Sequence, residues 1–186
     1  MRPAFQMPNR LTRTPARRAL LAYGVVASFA ACADLLTKQL AVSTLGDDRV
    51  IQLYDKLSLM VVFNTGSAGG VMIGPFTWHL NVIVTVVALT LITSVASALI
   101  AVDRRAVFAL GLVAGGALGN LASMLTGPLG VADFIAFELP GNTTIVMNLA
   151  DLSLWAGALL LAPVVRTLLH AIRAERRSLG GTMAKV

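Results

Sequence analysis

The chain has one cysteine and two histidines. The first count excludes a disulfide framework, and the two together argue against a zinc site. Charge is scarce as well. Only 13% of the 186 residues are Asp, Glu, Lys or Arg, where an ordinary soluble domain carries about a quarter. What fills the gap is apolar: 56% of the residues, with a mean hydropathy of +0.78. That balance excludes a disordered chain and an ordinary water-soluble enzyme. Fifteen Lys and Arg against nine Asp and Glu leave a net charge of +6. In a membrane protein basic residues mark the cytoplasmic ends, so their distribution says more than their sum. No nucleic-acid partner is expected from it.

Four stretches reach the ~20 apolar residues that a helix needs to cross ~30 Å of hydrocarbon. The first runs from about Ala19 to Val42, the second lies within Trp78–Val102, the third runs from Ala106 to near Leu125, and the fourth from about Ile145 to Val165. They predict an all-α membrane protein of four transmembrane helices in one domain over 19–165. Basic tails over 1–18 and 166–186 flank it. If the helices alternate, Arg2, Arg10, Arg13, Arg17, Arg18, Arg104, Arg105, Arg166, Arg173, Arg176, Arg177 and Lys185 share one side. Only Lys38, Arg49 and Lys56 are left for the other. The positive-inside rule then puts both termini in the cytoplasm. Seven of the nine acids, among them Asp34, Asp133 and Asp151, lie at or beyond the outer interface.

The N-terminal region imitates a cleavable lipoprotein signal, with an apolar run ending in Phe29-Ala30-Ala31-Cys32. Asp34 two residues on, and a helical pattern through Leu40, favour a retained span. Cys32 reads as a small buried apolar residue. Between spans 1 and 2, Ile51 and Leu53, then Leu57, Leu59, Val61 and Phe63, recur at period two and stop at Asn64-Thr65-Gly66. A small extracytoplasmic β-sheet within about 46–70 is expected between those spans. Gly111, Gly115 and Gly119 form a small-residue stripe for close helix packing. Asn120 beside them should face the bundle interior, because an amide in lipid needs a partner. Arg166–Arg177 reads as a frayed basic tail on anionic headgroups.

Ionisable groups in or beside spans are costly and mark sites. Asp34 and Lys38, four apart, share a helix face and suit an interfacial ion pair. Asp133 lies just outside the third span, and Asp151 one or two turns inside the fourth. No Lys or Arg falls between Arg105 and Arg166. A short outer loop would bring the two acids together. Carboxylates sharing a dry site cannot both ionise cheaply, which provides one general acid and one general base. Aspartyl protease chemistry uses that pair, and a proton path in a small proton-coupled membrane transporter would use it too.

Five motifs carry a resemblance. Asp34-Leu-Leu-Thr37-Lys38, Asn64-Thr-Gly66-Ser-Ala68, Gly116-Ala-Leu-Gly119-Asn120-Leu121, Val131-Ala-Asp133-Phe134-Ile135 and Asn148-Leu-Ala150-Asp151 occur in the order and spacing of signal peptidase II, the bacterial lipoprotein signal peptidase. The chain resembles that family over nearly everything after its N-terminal tail. The resemblance implies an aspartyl endopeptidase of the bacterial cytoplasmic (inner) membrane. Its substrates would be diacylglyceryl-modified prolipoproteins, cut just before the lipidated Cys at the outer interface, with the acyl chains left among membrane lipids. It implies no metal and no cofactor, and a monomer is expected. Asp133 and Asp151 match the catalytic pair. Asn64, Gly66, Asn120, Asn148, Ala150, Asp34 and Lys38 match positions that shape the site or hold substrate. Two departures stand out. Ala122-Ser123-Met124 replaces a stretch where the family carries an acidic–Arg pair, and Ser67-Ala68-Gly69-Gly70 replaces two Ala and a bulky aromatic. They leave room for a paralogue that binds lipoprotein precursors without cutting them.

Overall fold

A computed structural model describes residues 13–46, 49–65, 72–127, 130–141 and 143–183. Four long helices, α1 (Arg13–Leu45), α2 (Thr77–Val102), α3 (Ala106–Thr126) and α4 (Leu149–Met183), form a bundle. Strands β1 (Ile51–Tyr54) and β2 (Leu57–Asn64) join α1 to α2, and β3 (Val131–Leu139) and β4 (Thr143–Met147) join α3 to α4. All four helices are long and apolar enough to cross a membrane.

The bundle is inside-out relative to a soluble one. On α1, Leu21, Val25, Phe29, Leu36 and Leu40 are exposed, while Tyr23, Ala27, Ala30, Asp34, Lys38 and Ala41 are buried. Large apolar side chains therefore face outward, where lipid is as good a solvent as a protein core. Small and polar ones face inward, because helix contact in lipid comes from close packing and hydrogen bonds. The glycine stripe behaves as expected. A Cβ at Gly111 would fall 2.7 Å from the Val26 side chain, and one at Gly115 would fall 2.6 Å from the Ala27 carbonyl oxygen. Only a bare backbone lets α1 and α3 approach so closely. Gly116, on the next face, does the same toward Ala150 of α4. Away from the sheet, Tyr23, Ile100, Val107, Leu110 and Val164 form an apolar cluster.

Several expectations change. The fold is not all-α with a sheet confined to the first connection. One antiparallel sheet in the order β1-β2-β3-β4 draws half its strands from between α3 and α4. Leu57 pairs with Phe137 and Asn64 with Val131, with an irregularity between Leu59 and Val62. Ile135 pairs with Met147 across β3 and β4. Residues 145–147, assigned by hydropathy to the fourth span, are strand, because apolar β-branched residues suit both structures. That moves Asp151 from one or two turns inside the span to the first turn of α4. The buried side of β2 is small: Ser58 lies opposite Ala136, both shielded, while Leu57 and Leu59 are only half-buried. Cys32 is exposed rather than buried, which costs a weakly polar thiol little in lipid. The basic segment from Arg166 continues α4 without a break rather than fraying. Gly66 and Ser67–Gly70 lie outside the described residues.

Candidate active site

Where α1 and α3 end and α4 begins, beneath the sheet, the bundle interior turns polar. Asn148, Asp34, Asp133, Lys38 and Ser123 are all buried there. Each is placed by a local rule.

Asn148 precedes α4 and caps it. Its Oδ1 accepts the Asp151 N–H at 3.0 Å, while Asp151 Oδ2 accepts the Asn148 N–H at 3.0 Å. This reciprocal pair is a capping box: it satisfies two backbone donors that the helix cannot. The motif Asn148-Leu-Ala-Asp151 thus fixes the Asp151 side chain against the helix start before any neighbour is considered. The other Asp151 oxygen, Oδ1, accepts from Asn120 Nδ2 of α3 at 3.0 Å.

Asp133 comes from β3 and is 5% exposed. Its Oδ1 accepts from Asn148 Nδ2 at 2.5 Å, and its Oδ2 from Asn64 Nδ2 of β2 at 3.2 Å. The pairing of Asn64 with Val131, two residues along β3 from Asp133, puts that amide on the same face of the ladder as the carboxyl. Burial pushes the Asp133 carboxyl up from 3.8 to about 6, and the charge of Asp151 adds to the rise. The amides of Asn148 and Asn64, with the Lys38 charge, oppose it.

The two acids expected to meet are therefore brought to one residue. Asn148 holds Asp133 through its side-chain amide and Asp151 through its backbone N–H. Asn148 Nδ2 also donates to Asn120 Oδ1 at 3.2 Å. Lys38 Nζ lies 2.7 Å from Asp34 Oδ2 and donates to Asn120 Oδ1 at 2.7 Å. Asp34 Oδ1 accepts the Ala150 N–H at 2.8 Å, tying α1 to the first turn of α4. Asn64, Asn120, Asn148, Ala150, Asp34 and Lys38 thus join the two acids in one network, while Gly66 lies outside the described residues.

Ser123 was missed by the sequence reading, which saw only the charges lacking there. It is buried and accepts from Lys38 Nζ at 3.2 Å. Its own hydroxyl donates to the Gly119 carbonyl. The available signal was its position three residues after Asn120, on the same helix face of an otherwise apolar stretch.

A cavity of about 390 Å³ borders this network, among Lys38, Val42, Phe63, Ser123 and Ala132. Neither Asp133 nor Asp151 lines it, so its size does not mark the chemistry. A smaller one of about 270 Å³, lined by Asn64, Trp78, Asn81 and Met124, reaches the network through Asn64. Chemically, the arrangement offers one carboxyl biased toward its protonated form beside a second carboxylate held by N–H donors. That combination can move protons to and from a bound carbonyl and a water.

A family model described as Signal peptidase (SPase) II matches residues 26–166. The lipoprotein signal peptidase of Bacillus subtilis (strain 168) is 31% identical over 140 residues, which are 75% of this chain and 89% of that one. The lipoprotein signal peptidase of Rhodococcus jostii (strain RHA1) is 36% identical over 164 residues, covering 82% of this chain and 75% of that one. Two solved structures, each described as a bacterial membrane enzyme determined by the in meso method, share the fold. The one at 2.3 Å resolution has a TM-score of 0.64 at 24% identity, covering 76% of this chain and 85% of that one. The one at 1.9 Å has 0.61 at 26%, covering 76% and 90%.

Proposed function

The chain belongs to the signal peptidase II family and its function is that of a lipoprotein signal peptidase; we propose that it works as an aspartic endopeptidase with Asp133 and Asp151 as the catalytic pair. The substrates are diacylglyceryl-modified prolipoproteins, and the bond cut lies just before the lipidated Cys. One observation carries the reading: two carboxyl groups from different elements, β3 and the first turn of α4, converge on Asn148. Both sit at the sheet end of the bundle.

In this mechanism Asp133 enters as the general acid, the direction its raised value favours, and Asp151 as the general base. Asp151 takes a proton from water as the water oxygen attacks the scissile carbonyl. Asp133 gives its proton to the carbonyl oxygen, so no bare oxyanion forms. On collapse, Asp151 passes its proton to the departing amine of the lipidated Cys. The gem-diol returns a proton to Asp133, and the pair is restored. Asn64, Asn120 and Asn148 hold the two acids in register, while the Ala150 N–H anchors Asp34; Gly66 is assigned to substrate contact from its family motif alone. The protein is a multi-pass bacterial membrane protein. We place it in the cytoplasmic (inner) membrane as a monomer, both termini inside and the sheet on the outer face. There the scissile bond reaches the carboxyls while the acyl chains stay in lipid, which lowers the cost of positioning it.

The test is cleavage of a diacylglyceryl-modified precursor by purified protein and by Asp133→Asn and Asp151→Asn. Each variant should lose about 10²–10⁴-fold in rate while staying inserted. Parental processing by either one ends the dyad assignment. A parent that binds the precursor without shortening it is the non-cutting paralogue instead.

A further inference from the structure

Lys38 has no proton left for a substrate. An ammonium carries three N–H bonds, and all three are engaged: with Asp34 Oδ2 at 2.7 Å, Asn120 Oδ1 at 2.7 Å and Ser123 Oγ at 3.2 Å. The residue is 5% exposed. Asp34 is in the same condition. It is fully buried, with one oxygen on Lys38 and the other on the Ala150 N–H. The sequence placed both among the substrate contacts, but here the three Lys38 N–H bonds and both Asp34 oxygens are engaged within the protein.

What the pair holds explains it. An asparagine amide has an acceptor end and a donor end, and turning it exchanges the two. The ammonium can only donate. It therefore fixes Asn120 Oδ1 toward itself and leaves Asn120 Nδ2 for Asp151. The same Oδ1 accepts from Asn148 Nδ2, which turns the donor end of Asn148 toward Asn120 and Asp133. Asn148 Oδ1 is then left for the Asp151 N–H, as the cap requires. With Asn120 turned the other way, donor would face ammonium and acceptor would face carboxylate.

We propose that Lys38, held in place by Asp34, is a positioning residue: its ammonium sets the amide polarity of Asn120 and Asn148, and so delivers their N–H donors to Asp151 and Asp133 without touching substrate. The kinetic consequence rests on the peptidase reading; the orientation itself does not. Ser123 holds the third proton of the ammonium and completes the socket.

The test variant is Asp34→Asn/Lys38→Met. It removes the cation without stranding a buried carboxylate, and keeps an oxygen for the Ala150 N–H. Against a diacylglyceryl-modified precursor in nanodiscs, kcat should fall about tenfold to a hundredfold, with KM within about twofold. Asn120→Leu should behave alike, and the triple variant no worse than the weaker parent, since the residues act through each other. A loss carried by KM, or losses that multiply, would overturn the proposal. A second readout needs no turnover: infrared titration of the Asp133 carboxyl in ¹³C-aspartate protein, identified by its absence in Asp133→Asn. Its midpoint should rise in Asp34→Asn/Lys38→Met, and also in Asn120→Leu, where the ammonium remains. No rise in either, or a rise only where the charge is removed, rejects orientation as the role. A rise in both, with no cleavage by the parent, keeps the positioning role and rejects the peptidase reading.

Discussion

Gly119 makes the space that Asp34 occupies. A Cβ at position 119 would stand 2.5 Å from Asp34 Oδ2 and 3.2 Å from its Cβ. The carboxylate cannot swing aside cheaply, because one oxygen is bound to Lys38 and the other to the Ala150 N–H. Gly119→Ala should therefore cost about 1–3 kcal/mol through overpacking. Thermal unfolding in detergent measures it. A parental melting temperature with parental activity would mean that α1 and α3 are not so closely apposed.

Asn148 does two jobs that substitution can separate. As a cap it holds the start of α4, and as a bridge it donates to Asp133. Asn148→Ala should lose both, with about 1 kcal/mol of helix stability going with the cap. Asn148→Ser keeps a capping oxygen but has no donor long enough to reach Asp133. We expect the serine variant to unfold nearer the parent than the alanine variant does, while both lose cleavage. Retained cleavage in Asn148→Ser would show that the bridge is dispensable.

The arrangement of charge along the chain makes a prediction about sidedness. Of the basic residues, twelve fall on the side that would hold both termini and three on the other. A periplasm-active reporter fused after Val186 should be silent, and one inserted at the β3–β4 turn near Gly141 should be active. The reverse pattern would place the two acids on the cytoplasmic side and exclude a substrate carrying its lipid on the outer leaflet.

How far the sequence reveals this molecule differs by level. Four spans were legible because ~20-residue apolar runs have few alternatives. Close packing of α3 on a neighbour was legible in Gly111, Gly115 and Gly119, but not that the neighbour is α1. The second half of the sheet was not, since Ile145, Val146 and Met147 are as apolar as a span, and only their pairing with β3 decides. The acids stood out because charge is costly in lipid. Their linkage through Asn148 was less visible, although Asn148-Leu-Ala-Asp151 is a capping signature once the helix start is known. Sequence also cannot tell a lysine that reaches out from one whose three protons are taken. That distinction depends on Asn120 and Ser123, over eighty residues away.

The carboxyl of Asp133, raised from 3.8 to about 6 chiefly by burial, gives the pH dependence a sign. Between those values the folded protein binds more protons than the unfolded one, so stability should fall as pH rises from about 4 to about 6. A rise of that size corresponds to a loss of about 3 kcal/mol across the window. Asp133→Asn should lack that slope when thermal unfolding is followed over the same range. Activity should share the direction. The mechanism needs Asp133 protonated, so kcat/KM, which reports the free enzyme, should decline above about pH 6. Bound substrate excludes further water and should move the limb of kcat higher. If kcat/KM instead climbed through pH 6, Asp133 would be acting as a carboxylate, and the roles of the two acids would have to be exchanged.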